Sequence, residues 1–108
     1  MIDEVDGAVL ADVIASEDRA VLVQFWGTWC APCRALKPHL ARMADEYAEG
    51  WRMVAVNTDK HEATAAEWGV HSLPTLVLLR GGEELHRFAG AVVPSQIAAS
   101  LDELSGAA

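Results

Sequence analysis

Short apolar runs alternate with helical patterns along this sequence. The first clear run, Val21–Trp26, is nearly continuous, β-branched and aromatic, as expected of a strand that is buried on both faces. A helical stretch from about Ala31 to Tyr47 follows after a short connection, with apolar residues at helical spacing. Pro38 lies inside this stretch and lacks the N–H for a helical hydrogen bond, so a kink is predicted there.

The rest of the chain continues this alternation. Three more strands are predicted, at Arg52–Asn57, Thr75–Leu79 and Glu84–Phe88, with a tight turn at Gly81-Gly82 before the last. Three more helices are predicted: one capped by Asp6, one over Lys60–Trp68 that is closed by Gly69, and one that begins at Pro94 or Ser95. With a short N-terminal strand, the order is (β)αβαβαββα. This order predicts an α/β fold in which helices cover both faces of a central mixed five-stranded sheet.

Length and charge restrict the possible classes of protein. The 108 residues fit a single domain, 1–108, and a hydrophobic content of 52% is too high for a disordered chain. The net charge of −8 is spread along the sequence, which argues against nucleic acid or an anionic membrane as a partner. No window approaches the ~18 apolar residues that span a bilayer, and the N-terminus is acidic rather than signal-like. A cytoplasmic location is expected.

The sequence has two cysteines, Cys30 and Cys33. A disulfide between them would close a very short loop and stabilise the fold little, so the pair is better explained by redox chemistry. A zinc site normally needs four ligands, and no pair of histidines has ligand spacing; the histidines are His39, His61, His71 and His86. No metal or cofactor is expected, although a cluster that bridges two chains stays open as an alternative.

The cysteines fall where the first buried strand gives way to a helix. Cys30 is then near the helix N-cap, where free backbone N–H groups and the helix dipole favour a thiolate. Pro32 falls in the first turn, where its missing N–H costs nothing, and Cys33 follows one turn on. The pattern predicts that Cys30 attacks a substrate disulfide and that Cys33 then resolves the mixed disulfide.

The segment Phe25–Cys33, FWGTWCAPC, resembles the active-site signature of the thioredoxin family, usually written FWAxWCGPC. Further matches follow in order over about residues 5–105, namely Pro38, Asn57-Thr58-Asp59, Ser72-Leu73-Pro74-Thr75, Gly82 and Ala89-Gly90-Ala91. A lone CxxC is weak evidence, whereas this ordered set is specific. The resemblance implies a thioredoxin fold, which agrees with the predicted order of elements.

The resemblance also implies roles for individual residues. Cys30 would be the exposed nucleophile and Cys33 the buried resolving thiol, with Pro74 as a cis-proline that faces the disulfide. Leu73 would offer backbone groups to an extended substrate segment. Protein disulfides would be the substrates, and a flavoprotein reductase would regenerate the dithiol. The chain is expected to act as a monomer.

Aromatic and small residues would complete the site. The resemblance implies a flat apolar docking surface around the dithiol, formed by Trp29, Gly90 and Ala91. Trp26 would pack beneath the site, with Asp59 accepting its indole N–H, or would serve core packing alone. His71 is three residues before Pro74 and is either close to the dithiol or an ordinary loop histidine.

Two positions depart from the family pattern. The family's buried Asp, which accepts the proton of the resolving thiol, is replaced by Gln24, and its Lys partner is replaced by Ala55. Losing both together avoids an unpaired buried charge. Because Gln cannot accept a proton near neutral pH, we expect Cys33 to lose its proton to water or substrate and resolution to be slow.

Two functions are compatible with these sequence features. The first is a protein-disulfide reductase that cycles the Cys30–Cys33 pair; an oxidase or isomerase would need an export signal that the sequence does not show. The alternative is a thioredoxin-fold binding module or redox-regulated chaperone with little turnover. The complete active-site motif favours the reductase, and Gln24 is the one feature that favours the alternative.

Overall fold

The computed structural model describes residues 2–105 and contains five strands and four helices within that range. The strands are β1 (Asp3–Glu4), β2 (Ala20–Trp26), β3 (Trp51–Asn57), β4 (Thr75–Arg80) and β5 (Glu83–Ala89). The helices are α1 (Gly7–Ser16), α2 (Ala31–Glu46), α3 (Glu62–Glu67) and α4 (Pro94–Ser105). The predicted order (β)αβαβαββα is confirmed.

The strands form one mixed sheet in the order β1-β3-β2-β4-β5. β1 and β2 both run parallel to β3, whereas β4 is antiparallel to β2 and to β5. β2 is therefore the central strand, and all of its residues up to Phe25 are buried. The predicted continuous apolar run is explained by this position, because a central strand is covered on both faces.

Two apolar cores lie on the two faces of the sheet. On one face α2 and α4 cover the even-numbered residues of β2 and β4, with Leu36, Leu40 and Leu101 among the buried side chains. On the other face α1 packs against the odd-numbered residues of β2, and Leu10 is its buried anchor. Helix α2 is thus held against the sheet along its length, which fixes the position of its N-terminus.

The observed helices agree with some details of the predicted helices and differ in others. Asp6 caps α1 as expected, by accepting a hydrogen bond from the backbone N–H of Val9 at 2.8 Å. Helix α3 begins at Glu62 rather than at Lys60, because the side-chain oxygen of Asn57 accepts backbone N–H groups of the next residues and holds a turn there. Pro38 lies inside α2, and the kink stays a prediction. In the described part of the chain no helix is long and apolar enough to span a bilayer.

Candidate active site

The two cysteines lie at the junction of β2 and α2 and form a disulfide in this structure, with Cα atoms 5.2 Å apart. Cys30 is the N-cap of α2, and its sulfur accepts a hydrogen bond from the backbone N–H of Cys33 at 3.2 Å. Pro32 is in the first turn, where an N–H would have no helical partner. The local sequence thus places one sulfur at the end of a helix where unpaired N–H donors stabilise negative charge.

The two sulfur-bearing residues differ in their access to solvent. Cys33, in the first turn of α2, is 3% exposed, whereas Cys30 is partly exposed. Trp29, the residue before Cys30, is 90% exposed. A partner can therefore approach Cys30 and Trp29 from solvent, but it reaches Cys33 only through Cys30 or through the interior of the protein.

The loop before β4, with Pro74, and the loop after β5, with Gly90 and Ala91, lie beside the start of α2. The Leu73–Pro74 peptide bond is cis, as the resemblance implied, and the carbonyl of Pro74 accepts a hydrogen bond from the backbone N–H of Gly90 at 2.9 Å. This bond holds the loop with Gly90 and Ala91 beside Pro74. Between the loops lies an apolar groove of about 230 Å³, lined by Pro32, Ala35, Leu36, His39, Pro74, Ala91, Val92, Val93 and Pro94.

Asp59 holds the loop between β2 and α2, and this role differs from the predicted one. Asp59 accepts a hydrogen bond from the backbone N–H of Thr28 at 2.7 Å, and this bond lowers the pKa of the Asp59 carboxyl. The indole N–H of Trp26 instead donates to Glu4 Oε2 at 3.1 Å. The prediction that Asp59 accepts the Trp26 N–H is therefore wrong, because the indole points towards the β1 edge of the sheet and Asp59 is engaged by the loop backbone.

A cavity lies behind Cys33, between α2 and the β1 side of the sheet. It has a volume of about 400 Å³ and is lined by Ile2, Glu4, Gln24, Trp26, Thr28, Cys33, Arg34, Lys37, Ala41 and Ala55. Glu4 and Gln24 are both register partners of Ala55, one on each side, so these three side chains point to the same face of the sheet. The family's charge pair is thus replaced by a buried carboxamide and an open space.

Five residues at this cavity were not singled out by the sequence: Ile2, Glu4, Arg34, Lys37 and Ala41. Lys37 lies over the Trp26 ring, with its Nζ 5.7 Å from the ring centroid. Lys37 and Ala41 follow Cys33 by one and two helical turns, so the sequence could have predicted that they lie on the same face of α2 as Cys33. The position of Glu4 depends on the pairing of the strands and could not be predicted in this way.

Two of the histidines, His71 and His39, have different environments. His71 is exposed, in agreement with an ordinary loop histidine, and His39 lies in the apolar groove and is within hydrogen-bond distance of Arg42 at 2.8 Å. Over residues 2–105 no three side chains of the metal-binding types are grouped closely enough to hold an ion.

Comparison with known proteins gives a consistent family. The family model Thioredoxin matches residues 2–103. A thioredoxin from Pyropia yezoensis is 35% identical over 102 residues, which covers 94% of this chain and 95% of that protein. A thioredoxin from Chlorobaculum thiosulfatiphilum is 38% identical over 94 residues, or 86% of each chain.

A solved structure supports the fold. The crystal structure of thioredoxin from Malassezia sympodialis superposes with a TM-score of 0.86 at 24% identity, covering 98% of this chain and 92% of that one. The chain has the thioredoxin fold, with a mixed five-stranded sheet between helices. The binding-module alternative is not favoured, because the relatives and the cysteine pair at disulfide distance both agree with redox turnover. The chain belongs to the thioredoxin family and is a thiol–disulfide oxidoreductase that acts on protein disulfides.

Proposed function

We propose that Cys30 is the attacking thiol and Cys33 the resolving thiol of a protein-disulfide reductase. The observation that carries this assignment is the difference in burial of the two residues at the N-terminus of α2. In the reduced protein the Cys30 thiolate attacks a substrate disulfide, and one substrate sulfur leaves as a thiolate. Cys33 then loses its proton and attacks Cys30, so the Cys30–Cys33 disulfide forms, the mixed disulfide breaks, and the substrate is left with two electrons more.

The substrate segment docks across the loops beside Cys30. Trp29 supplies an exposed aromatic face, and Gly90 and Ala91 leave room for an extended backbone. Among the described residues no backbone group hydrogen-bonds to Leu73, which precedes Pro74. The N–H and carbonyl of Leu73 are thus available to pair with a substrate strand, and the neighbouring apolar groove accepts one of its side chains.

Membership of the family supports a wider setting for this reaction. A flavoprotein reductase regenerates the dithiol from the disulfide, and the chain works as a monomeric single domain in the cytoplasm. Its acidic charge of −8 keeps it from nucleic acid and anionic membranes. Pro32 holds the first turn of α2, and Trp26, Gln24 and Asp59 support the site from behind.

Turnover with insulin tests the proposed function. With dithiothreitol as reductant, the chain should precipitate insulin chains at least about tenfold faster than dithiothreitol alone, because a protein thiolate at a helix N-terminus attacks faster than a free thiol. The rate is followed by turbidity at equal protein concentrations. A chain that bound reduced or unfolded insulin without accelerating its reduction would be a binding module instead.

Restoring the family's charge pair should accelerate the resolving step. In the double variant Gln24→Asp with Ala55→Lys, a carboxylate behind Cys33 accepts its proton, and the lysine offsets the buried charge. We expect insulin reduction to rise about two- to tenfold at pH 7. The matched control is the single variant Ala55→Lys, which adds the cation without the acceptor and should show no gain. Equal rates for the double variant and the parent chain would show that proton removal from Cys33 does not limit turnover.

A further inference from the structure

The cavity behind Cys33 has the features of a small-molecule site that is separate from the substrate-docking surface. Its volume of about 400 Å³ is in the range of ligand pockets, and it opens at the β1 edge of the sheet, away from the groove beside Pro74. It exists because Ala41 of α2 and Ala55 of β3 are both small. The volume of the cavity alone does not identify a ligand, so the class of ligand is inferred from the side chains that line the cavity.

Gln24 is the polar group in its interior. The residue is 4% exposed and lines the cavity, and among the described residues its carboxamide has no hydrogen-bond partner. A carboxamide offers two donors and an acceptor, and those of Gln24 are not enclosed by protein but are accessible from the cavity. A ligand that reaches Gln24 can therefore pair with it through a donor or an acceptor, and a hydroxyl group supplies both.

The walls of the cavity are apolar. Ile2, Ala41 and Ala55 contribute aliphatic surface, and Trp26 contributes an aromatic one whose N–H is already taken by Glu4. Because the indole has no free donor, its contribution is through contact area and ring stacking. These walls favour a flat, apolar body of about the size of one aromatic ring.

The charged groups are Arg34, Lys37 and Glu4. The two cations outnumber the carboxylate, and Glu4 is hydrogen-bonded to Trp26. Arg34 uses one N–H on the carbonyl of Thr28 at 3.2 Å and keeps its other donors. A carboxylate placed here would meet a net positive charge.

We propose that this cavity binds a small aromatic carboxylate, with the ring between Trp26 and Ala55, the carboxylate at Lys37 and Arg34, and a ring hydroxyl on Gln24. Cys33 forms part of the wall, so the bound ring lies next to the resolving residue. Occupancy of the cavity should therefore exclude water from the inner side of Cys33.

The test is a titration of the oxidised 108-residue chain with 4-hydroxybenzoate, followed by ¹⁵N–¹H NMR. The side-chain amide of Gln24 and the indole N–H of Trp26 should shift and saturate, with a Kd of about 1 mM or tighter, which ligands of this size reach. Benzoate, which lacks the hydroxyl, should bind about three- to tenfold more weakly. The neutral 4-hydroxybenzamide should bind about threefold more weakly or worse.

Amino-acid substitutions test whether the ligand binds in this cavity. Ala55→Leu fills the cavity and should abolish binding, whereas Lys37→Met should weaken 4-hydroxybenzoate but not 4-hydroxybenzamide. Arg42→Met removes a cation from the same helix outside the cavity and is the matched control, with unchanged binding expected. If Ala55→Leu does not fold, the ligand series on the parent chain decides. The proposal is overturned if the two Gln24 and Trp26 signals do not saturate by about 10 mM, if the amide binds as well as the acid, or if filling the cavity leaves binding intact.

Discussion

Replacing Cys33 by serine should convert the chain from a catalyst into a trap for its substrates. Cys30 keeps its place at the N-cap of α2 and still attacks, but a serine hydroxyl does not displace a thiolate from the mixed disulfide. Multiple-turnover insulin reduction should fall roughly 100-fold or more. Mass spectrometry without reductant should show the chain joined to one substrate molecule through Cys30.

The companion variant Cys30→Ser separates attack from resolution. It should lose the same turnover without accumulating a mixed disulfide, because Cys33 is 3% exposed and a protein substrate does not reach its sulfur. Trp29 and the docking loops are unaltered, so the two variants differ only in which sulfur remains. Substrate captured through Cys33 in the Cys30→Ser chain would contradict the assignment of roles.

The order of elements was predictable because it is encoded locally. The apolar run Val21–Trp26 is buried as the central strand, and the predicted span of α2 differs from the observed one only at its C-terminal end. The redox pair was predictable for the same reason, since a helix N-terminus and a CxxC motif occupy adjacent residues. Such features need no knowledge of which strands become neighbours.

The partners of Trp26 were not predictable in this way. Its indole N–H binds Glu4, which is 22 positions away and lies on β1, with β3 between the two strands. Only the register of three strands brings Glu4, Ala55 and Gln24 to one face under α2. The turn formed by Asn57 was missed for a related reason, because a side-chain hydrogen bond competed with the helical pattern that follows it.

The paired departures at Gln24 and Ala55 acquire a physical meaning from the cavity. A buried carboxylate without its lysine would leave an uncompensated charge, and a lysine alone would do the same. With neither present, the space they would fill is lined by Gln24, Trp26 and small side chains next to Cys33. The replacement therefore changes what surrounds the resolving residue while the N-cap environment of Cys30 is unaltered.

Truncating Leu40 to alanine should be among the most destabilising single changes in the chain. Leu40 is fully buried in the core that joins α2 to the sheet, and α2 carries both cysteines. Deleting its branched side chain loses apolar burial and leaves a void that rigid strands fill poorly, which costs about 2–5 kcal/mol of unfolding free energy. Urea denaturation of the oxidised chain measures this loss. Val9→Ala, at a position 44% exposed on α1, is the matched control and should change stability by less than about 0.5 kcal/mol. A loss below about 1 kcal/mol for Leu40→Ala would mean that α2 is held by its ends rather than by this core.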